Sequence, residues 1–402
     1  MLCTMPWSRK PVCCSPVPRI RMLFHRPRCS PHRFCYWIVL LLGAASLVGC
    51  DRWRADTTPS PALVAALAQG VNLSHWWTGP EPNAVIRSAH ALSPQDLTAV
   101  RAQGFGHVRL PLEPMRIFDP ARPSVLLQDR LSSLRADLER IMAADLAVIL
   151  AIQMDSAAKQ RLFASGGEAS VLAAQWAQLA SQLSDLPVDR LVFEILNEPE
   201  IDNPWAWAPM QRQLLETIRG EAPRHTVLVS GAHYSDPVDL AMLAPLPDRN
   251  VIYGFHFYTP HNFTHQGADW GWEMWQRMRD LPYPSSLDAV ADAAERADPG
   301  ARPHVEHYGR QRWTRDKLAA QIELVAQWAG QYDLVVQCTE FGVIQQAPAS
   351  DRARWLRDTR GLIEGAGFGW TVWDLTGTFA IANREQGQLR FDPQVLEALA
   401  AR

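Results

Sequence analysis

Two glutamates stand out because each closes a run of apolar residues. One run ends in Asn197-Glu198-Pro199 and the other in Thr339-Glu340-Phe341-Gly342. A carboxylate in apolar surroundings is costly unless it is paired or used, and two that converge push their pKa values apart, leaving one acid and one anion. Cleavage of a glycosidic bond needs that division: an acid to protonate the departing oxygen and an anion facing the anomeric carbon. A carboxyl separation of ~5 to 5.5 Å would give retention of configuration, and ~6.5 to 9.5 Å inversion. Alone, Asn-Glu-Pro carries little information, since a glutamate at a strand end is commonly a helix cap or a solvated side chain. Its company says more. Arg109 lies in Val108-Arg109-Leu110-Pro111, His256 and Tyr258 finish another apolar run two residues apart and so share a face, and Trp373 finishes the last run.

The elements that must carry these residues follow from the spacing of apolar runs. Candidate strands cover 70–73, 107–110, 147–152, 191–196, 226–230, 251–257, 334–339 and 369–373. Most are continuous Val/Ile/Leu/Phe stretches, as strands buried on both faces should be. Longer amphipathic segments separate them, the pattern of a parallel sheet with helical crossovers. Ser93-Pro94-Gln95-Asp96 and Asp392-Pro393 have the composition of helix starts. Eight such units predict an α/β fold, a (β/α)8 TIM barrel forming one catalytic domain over 67–402, and a barrel of this kind builds its site at the carboxyl ends of its strands. One connection is out of scale: 258–313 is rich in aromatics and separates the sixth strand from its helix. A long loop there predicts an insertion that reshapes the site.

This constellation resembles glycoside hydrolase family 5, the cellulase family A, over residue 70 to the C-terminus. The resemblance implies Glu198 as general acid/base on strand four and Glu340 as nucleophile on strand seven, with Arg109 and Tyr258 holding Glu340. It further implies that Asn197 bonds the sugar 2-hydroxyl, that His256 lies beside the acid/base and that Trp373 floors the sugar being cleaved. Gly70-Val71-Asn72 is similar to the family's strand-one motif and puts Asn72 near the same sugar. The segment Phe263-Thr264-His265-Gln266-Gly267-Ala268-Asp269-Trp270 resembles a loop of bacterial endoglucanases, which adds His265 and Trp270 to the expected substrate contacts. After strand three the chain departs from the family. Where a histidine is usual it reads Ala151-Ile152-Gln153-Met154-Asp155, so Gln153 or Asp155 would have to supply that contact.

Sixteen tryptophans are present. Flat indoles suit the CH faces of β-linked pyranosides, and Trp76, Trp77, Trp205, Trp207, Trp270, Trp272, Trp275 and Trp313 fall in expected top-face loops. Of these, Trp76 and Trp77 behind strand one and Trp270 in the insertion are expected to be sugar platforms. Trp176, Trp328 and Trp355 sit at helical spacing and read as packing residues. His304, Glu306 and His307 lack a further ligand at fixed spacing, so they read as a solvated loop and no metal is expected. The proposed chemistry calls for no cofactor.

Formal charge is −3, but residues 1–49 hold seven Arg or Lys and no acid, which leaves 32 basic against 42 acidic residues in the body. Such a body has no footprint for a phosphate backbone, so no nucleic-acid partner is expected. The first 49 residues read as a signal peptide with a basic extension: the apolar stretch 34–48 is short for a membrane span and ends Leu47-Val48-Gly49-Cys50, which resembles a bacterial lipobox. The alternative is an uncleaved anchor, and Met22 is a second candidate start. Lipidation of Cys50 would tether an exported protein to a membrane, facing the periplasm or the exterior, with 50–66 as the lipidated cysteine and flexible tether and the fold starting near Leu67. Asp51 resembles an inner-membrane retention signal. Five cysteines lie within the first 35 residues, and beyond Cys50 only Cys338 remains, so the body can form no disulfide framework. Cys338, in an apolar run, is expected to be a core residue.

The resulting expectation is a monomeric retaining endo-β-1,4-glucanase acting on β-glucan. The rivals are the same chemistry on β-mannan or a secreted bacterial polysaccharide, a barrel that binds carbohydrate without turnover, and a metal-dependent barrel hydrolase, whose clustered strand-end His and Asp are missing.

Overall fold

The computed structural model describes residues 57–79, 91–164, 166–201 and 203–400. The proposed signal sequence, Cys50 and the start of the proposed tether lie outside the described residues. Among the described residues no helix is long and apolar enough to cross a membrane.

Eight parallel strands close into a barrel: β1 (Gln69–Asn72), β2 (His107–Leu112), β3 (Ala147–Ile152), β4 (Leu191–Glu194), β5 (Thr226–Ser230), β6 (Val251–Phe257), β7 (Val335–Phe341) and β8 (Gly369–Val372). Each pairs with its sequence neighbours, and β8 returns to β1. Continuous apolar runs are what such strands need, because both faces are covered. In β3, Val148, Leu150 and Ile152 pack outward under the helices while Ala147 and Ile149 point into the lumen. The helix starts expected at residues 93 and 392 are present. Ser93 Oγ accepts from Asp96 N at 3.1 Å while the Asp96 carboxylate accepts from Ser93 N at 3.0 Å, and Asp392 caps Pro393–Leu399.

The lumen is layered. Leu63, Leu67, Ile149, Val192, Leu228 and Ile252 seal the floor. Above them His107, Gln337 and Thr371 form a buried polar tier, with His107 Nε2 2.8 Å from Thr371 Oγ1. Burial pushes the His107 pKa down to about 4. Arg109, Glu194 and Asn72 lie nearer the carboxyl ends of their strands. The floor corrects one boundary: the expected tether reached residue 66, yet Pro61–Ala66 is a helix, and Leu63 closes the barrel. Ser60 accepts from Leu63 N at 3.1 Å, with Pro61 at the first helical position. A Ser-Pro pair suits a linker and a helix start equally, and here the apolar floor decides.

Strand ends also differ from expectation, and β2 runs on to Leu112. β4 stops at Glu194, two residues early, and β7 runs on to Phe341. The pairing of β7 shifts register against both neighbours around Thr339, so a bulge precedes Glu340. A bulge re-aims the side chains beyond it. The insertion at 258–313 divides in two. Its first part, with the short helix His261–Thr264 and the turn Glu273–Arg277, lies over the barrel mouth, whereas Met278, Leu281, Tyr283 and Tyr308 join the core.

Candidate active site

Arg109 organises the mouth. Fully buried, it donates through Nε and Nη2 to the two Glu194 oxygens at 2.6 and 2.7 Å, through Nη1 to Glu340 Oε1 at 2.6 Å and Asn72 Oδ1 at 3.0 Å, and through Nη2 to Asn197 Oδ1 at 2.7 Å. Burial opposes the Arg109 charge, but the two carboxylates overcome it and push the guanidinium further up. Glu340 receives a second donor, the Tyr258 hydroxyl, at 2.8 Å to Oε2. Burial pushes the Glu340 pKa up, and the charge of Arg109 and the Tyr258 hydrogen bond pull against it. Both donors stabilise the anion.

Glu198 is placed differently. It follows the strand on a bend with φ +49°, a left-handed conformation uncommon outside glycine. Its Oε1 is 2.9 Å from His256 Nδ1, and His256 lies 3.6 Å from Glu340 Oε2. Burial pushes Glu198 up, with Lys159 and then Arg109 pulling it back. Burial also drives His256 down to about 4, so the ring is neutral near pH 7 and gives Glu198 no cationic partner. One ligating atom from each of Glu198, His256 and Glu340 falls within 4.8 Å of the others. That spacing would suit a cation, but a guanidinium 2.6 Å from Glu340 opposes one, and both Glu340 oxygens already accept hydrogen bonds. One oxygen of each carboxyl thus lies within 4.8 Å of the other.

These groups line a cavity of about 1060 Å³. Glu198, Glu340, His256, Tyr258, His265, Trp270 and Trp373 all reach it. His265 stacks on Trp275, and Trp270 is 42% exposed. Gly342 allows β8 to approach: a Cβ there would stand 2.3 Å from the Trp373 carbonyl oxygen. Asn197 contributes its oxygen to Arg109, while its amide nitrogen has no protein acceptor among the described residues.

The family model described as Cellulase (glycosyl hydrolase family 5) matches residues 68–378. The chain belongs to glycosyl hydrolase family 5. As a family 5 member it is a glycoside hydrolase. It is 24% identical over 311 residues to Endoglucanase C of Acetivibrio thermocellus, covering 76% of this chain and 90% of the relative. It is 27% identical over 231 residues to Endoglucanase 3 of Fibrobacter succinogenes, which covers 54% of this chain and only 34% of that longer relative. Among solved structures, Thermotoga maritima Cel5A, in complex with cellobiose, superposes with TM-score 0.69 at 22% identity over 85% of this chain and all (100%) of that one. The cellulose synthase subunit Z of Clostridioides difficile gives 0.67 at 20% identity, over 83% of this chain and 99% of that one.

Several expected contacts of this family 5 barrel are not where the sequence put them. Asn72 is fully buried, donating to the Thr339 carbonyl at 3.0 Å and accepting from Arg109, so it braces the arginine and does not line the cavity. Trp76 and Trp77 are core residues, 2% and 1% exposed. The chain beyond β1 runs on beside β2, where Trp77 bridges Leu112 and its indole donates to Asp137 at 3.1 Å. Trp207 is likewise buried, donating to the Ser230 carbonyl. Trp313 packs partly against the core. Asp155 caps the next helix by accepting from Ala158 N at 2.7 Å, and neither it nor Gln153 lines the cavity.

Other residues were missed. His75, His233, Tyr234, Asp374 and Phe379 line the cavity, and Glu194 shares Arg109. A signal for Glu194 existed: a charge inside Leu191-Val192-Phe193-Glu194-Ile195-Leu196 needs a buried cation, and Arg109 stood in an equally apolar run. The lining residues of loops gave no such signal.

Proposed function

We propose that this glycoside hydrolase is a retaining endo-β-1,4-glucanase in which Glu198 is the general acid/base and Glu340 the nucleophile. The observation that carries the assignment is the unequal supply of donors: Arg109 and Tyr258 hold Glu340 as an anion, whereas Glu198 faces a neutral His256. In the first step protonated Glu198 gives its proton to the glycosidic oxygen while Glu340 attacks the anomeric carbon. The bond to the leaving sugar breaks as the glycosyl-enzyme ester forms. Water, deprotonated by Glu198, then attacks the same carbon and frees Glu340. The approach of one oxygen of each carboxyl to within 4.8 Å supports retention. Asn197, with its amide nitrogen unclaimed, is the candidate donor to the 2-hydroxyl, and Trp270 and Trp373 are candidate sugar platforms.

Glu198→Gln and Glu340→Gln should each abolish turnover of cello-oligosaccharides in a folded protein. Azide should restore activity on an activated aryl glycoside to the Glu198 variant alone, because that leaving group needs no proton and azide replaces the activated water. Restoration of the Glu340 variant instead would exchange the roles.

The cellulases among the relatives support a β-1,4-glucan as substrate. Product analysis on β-glucans and β-mannans tests this, and faster release from mannan would replace the assignment. We further propose an exported, monomeric lipoprotein anchored through Cys50, which the apolar stretch 34–48 and the lipobox-like Leu47-Val48-Gly49-Cys50 support. Cys50→Ser should abolish labelling by fatty acid, and unchanged labelling would reject the anchor.

A further inference from the structure

Two residues beyond Glu198 the same loop carries Glu200, whose Oε1 is 3.1 Å from Lys159 Nζ. Both side chains are nearly out of water, Lys159 3% and Glu200 10% exposed. Ser156 Oγ donates to the same oxygen at 2.9 Å. Lys159 and Ser156 belong to the helix Ser156–Ala164 that follows β3, whose first turn Asp155 caps. A buried ion pair rarely repays the cost of removing both charges from water, so apolar residues of similar size would hold this loop against the helix equally well. Stability alone therefore gives no reason for charges here. Their location gives one.

We propose that Lys159 and Glu200 are positioning residues that fix the loop bearing Glu198 and, as two opposed charges, set the proton affinity of its carboxyl. This rests on the reading of Glu198 as proton donor. The charged and titratable groups facing Glu198 include His256 from β6, Tyr258 and His261 from the segment after β6, Glu340 from β7, Arg109 from β2, and Lys159 and Glu200 themselves. After burial, which pushes Glu198 up, Lys159 exerts the largest pull downward, and Glu200 pushes upward. The two therefore act on Glu198 in opposite directions. The pair also occupies the region after strand three where this chain lacks the expected histidine.

Opposite signs make the idea testable. The pH dependence of kcat/KM on a cello-oligosaccharide should be compared for the parent protein, Lys159→Met, Glu200→Gln and the double variant. Lys159→Met leaves Glu200 unopposed and should move the basic limb up by about half to one pH unit. Glu200→Gln leaves Lys159 unopposed and should move it down by a similar amount. The double variant should fall between the two single variants. Movement of both single variants in one direction, or unmoved limbs with lower kcat or melting temperature, would reduce the pair to a structural brace and overturn the proposal. Should Lys159→Met fail to fold, Glu200→Gln and the double variant still decide, since a parent-like limb in Glu200→Gln rejects tuning. Glu198→Gln on an aryl glycoside of intermediate leaving ability separates the two claims. A basic limb surviving there means the proton donor lies elsewhere, whereas its loss there with unmoved limbs in the charge variants rejects this proposal alone.

Discussion

Glu340 and Glu198 occupy one cavity, yet one is committed and the other open. Glu340 follows a bulge in a strand and accepts hydrogen bonds from a buried guanidinium and a hydroxyl, while Glu198 sits on a left-handed bend with, among the described residues, a neutral imidazole on its carboxyl oxygens. The tryptophans divide the same way: Trp76 is locked in the core and Trp270 stands open over the cavity. Identical residue types thus acquire different chemistry from what already satisfies them. Position along the chain does not distinguish them.

Arg109→Met attacks the comparison at its root. It leaves Glu194 and Glu340 buried without their cation, so a loss of about 3 to 5 kcal/mol in unfolding free energy should accompany the loss of activity. A variant that is active and as stable as the parent in denaturant titration would show that Arg109 does not hold Glu340. Next comes the tryptophan pair. Trp76→Ala should cost about 3 to 5 kcal/mol of stability, as large-to-small core changes do. Trp270→Ala should leave the melting temperature nearly unchanged and weaken cello-oligosaccharide binding by about 1 to 3 kcal/mol. Melting and titration of both variants test the division, and equal loss of stability would erase it.

Asp374 is a further carboxyl lining the cavity, bonded to Ser74, and burial raises its pKa from 3.8 to about 6. Because the folded value is the higher one, its stabilising contribution is present below pH 3.8 and is lost as pH rises through 6. A shift of this size corresponds to about 2 to 3 kcal/mol. Asp374→Asn should therefore flatten the fall in stability between pH 4 and pH 8, and an unchanged slope would place the titration elsewhere. The smallest change is Tyr258→Phe. Removing one donor to the Glu340 anion should raise its pKa and move the acid limb of kcat/KM up by about one unit, leaving the basic limb in place. Movement of the basic limb instead would tie Tyr258 to Glu198.

The sequence determined the barrel and the identities of its central residues. Eight apolar runs must be buried on both faces, and charges that end or interrupt them must meet one another at the mouth, so Glu198, Glu340, Arg109 and Tyr258 were legible from type and spacing. Only the tertiary structure decided the rest. Asn72 has the residue type of a sugar contact, but the guanidinium reaching across from β2 claimed its oxygen. Trp76 and Trp77 could stack on sugar or on leucine, and the path of the chain beside β2 chose the core. His75, Tyr234 and Lys159 belong to loops and a helix with no period that points inward, and they reach the region of Glu198 only because closure of the barrel brings remote strand ends together. Local pattern fixes which faces are apolar. Which open side chains then share a cavity depends on contacts between residues far apart in sequence, and no local pattern encodes those.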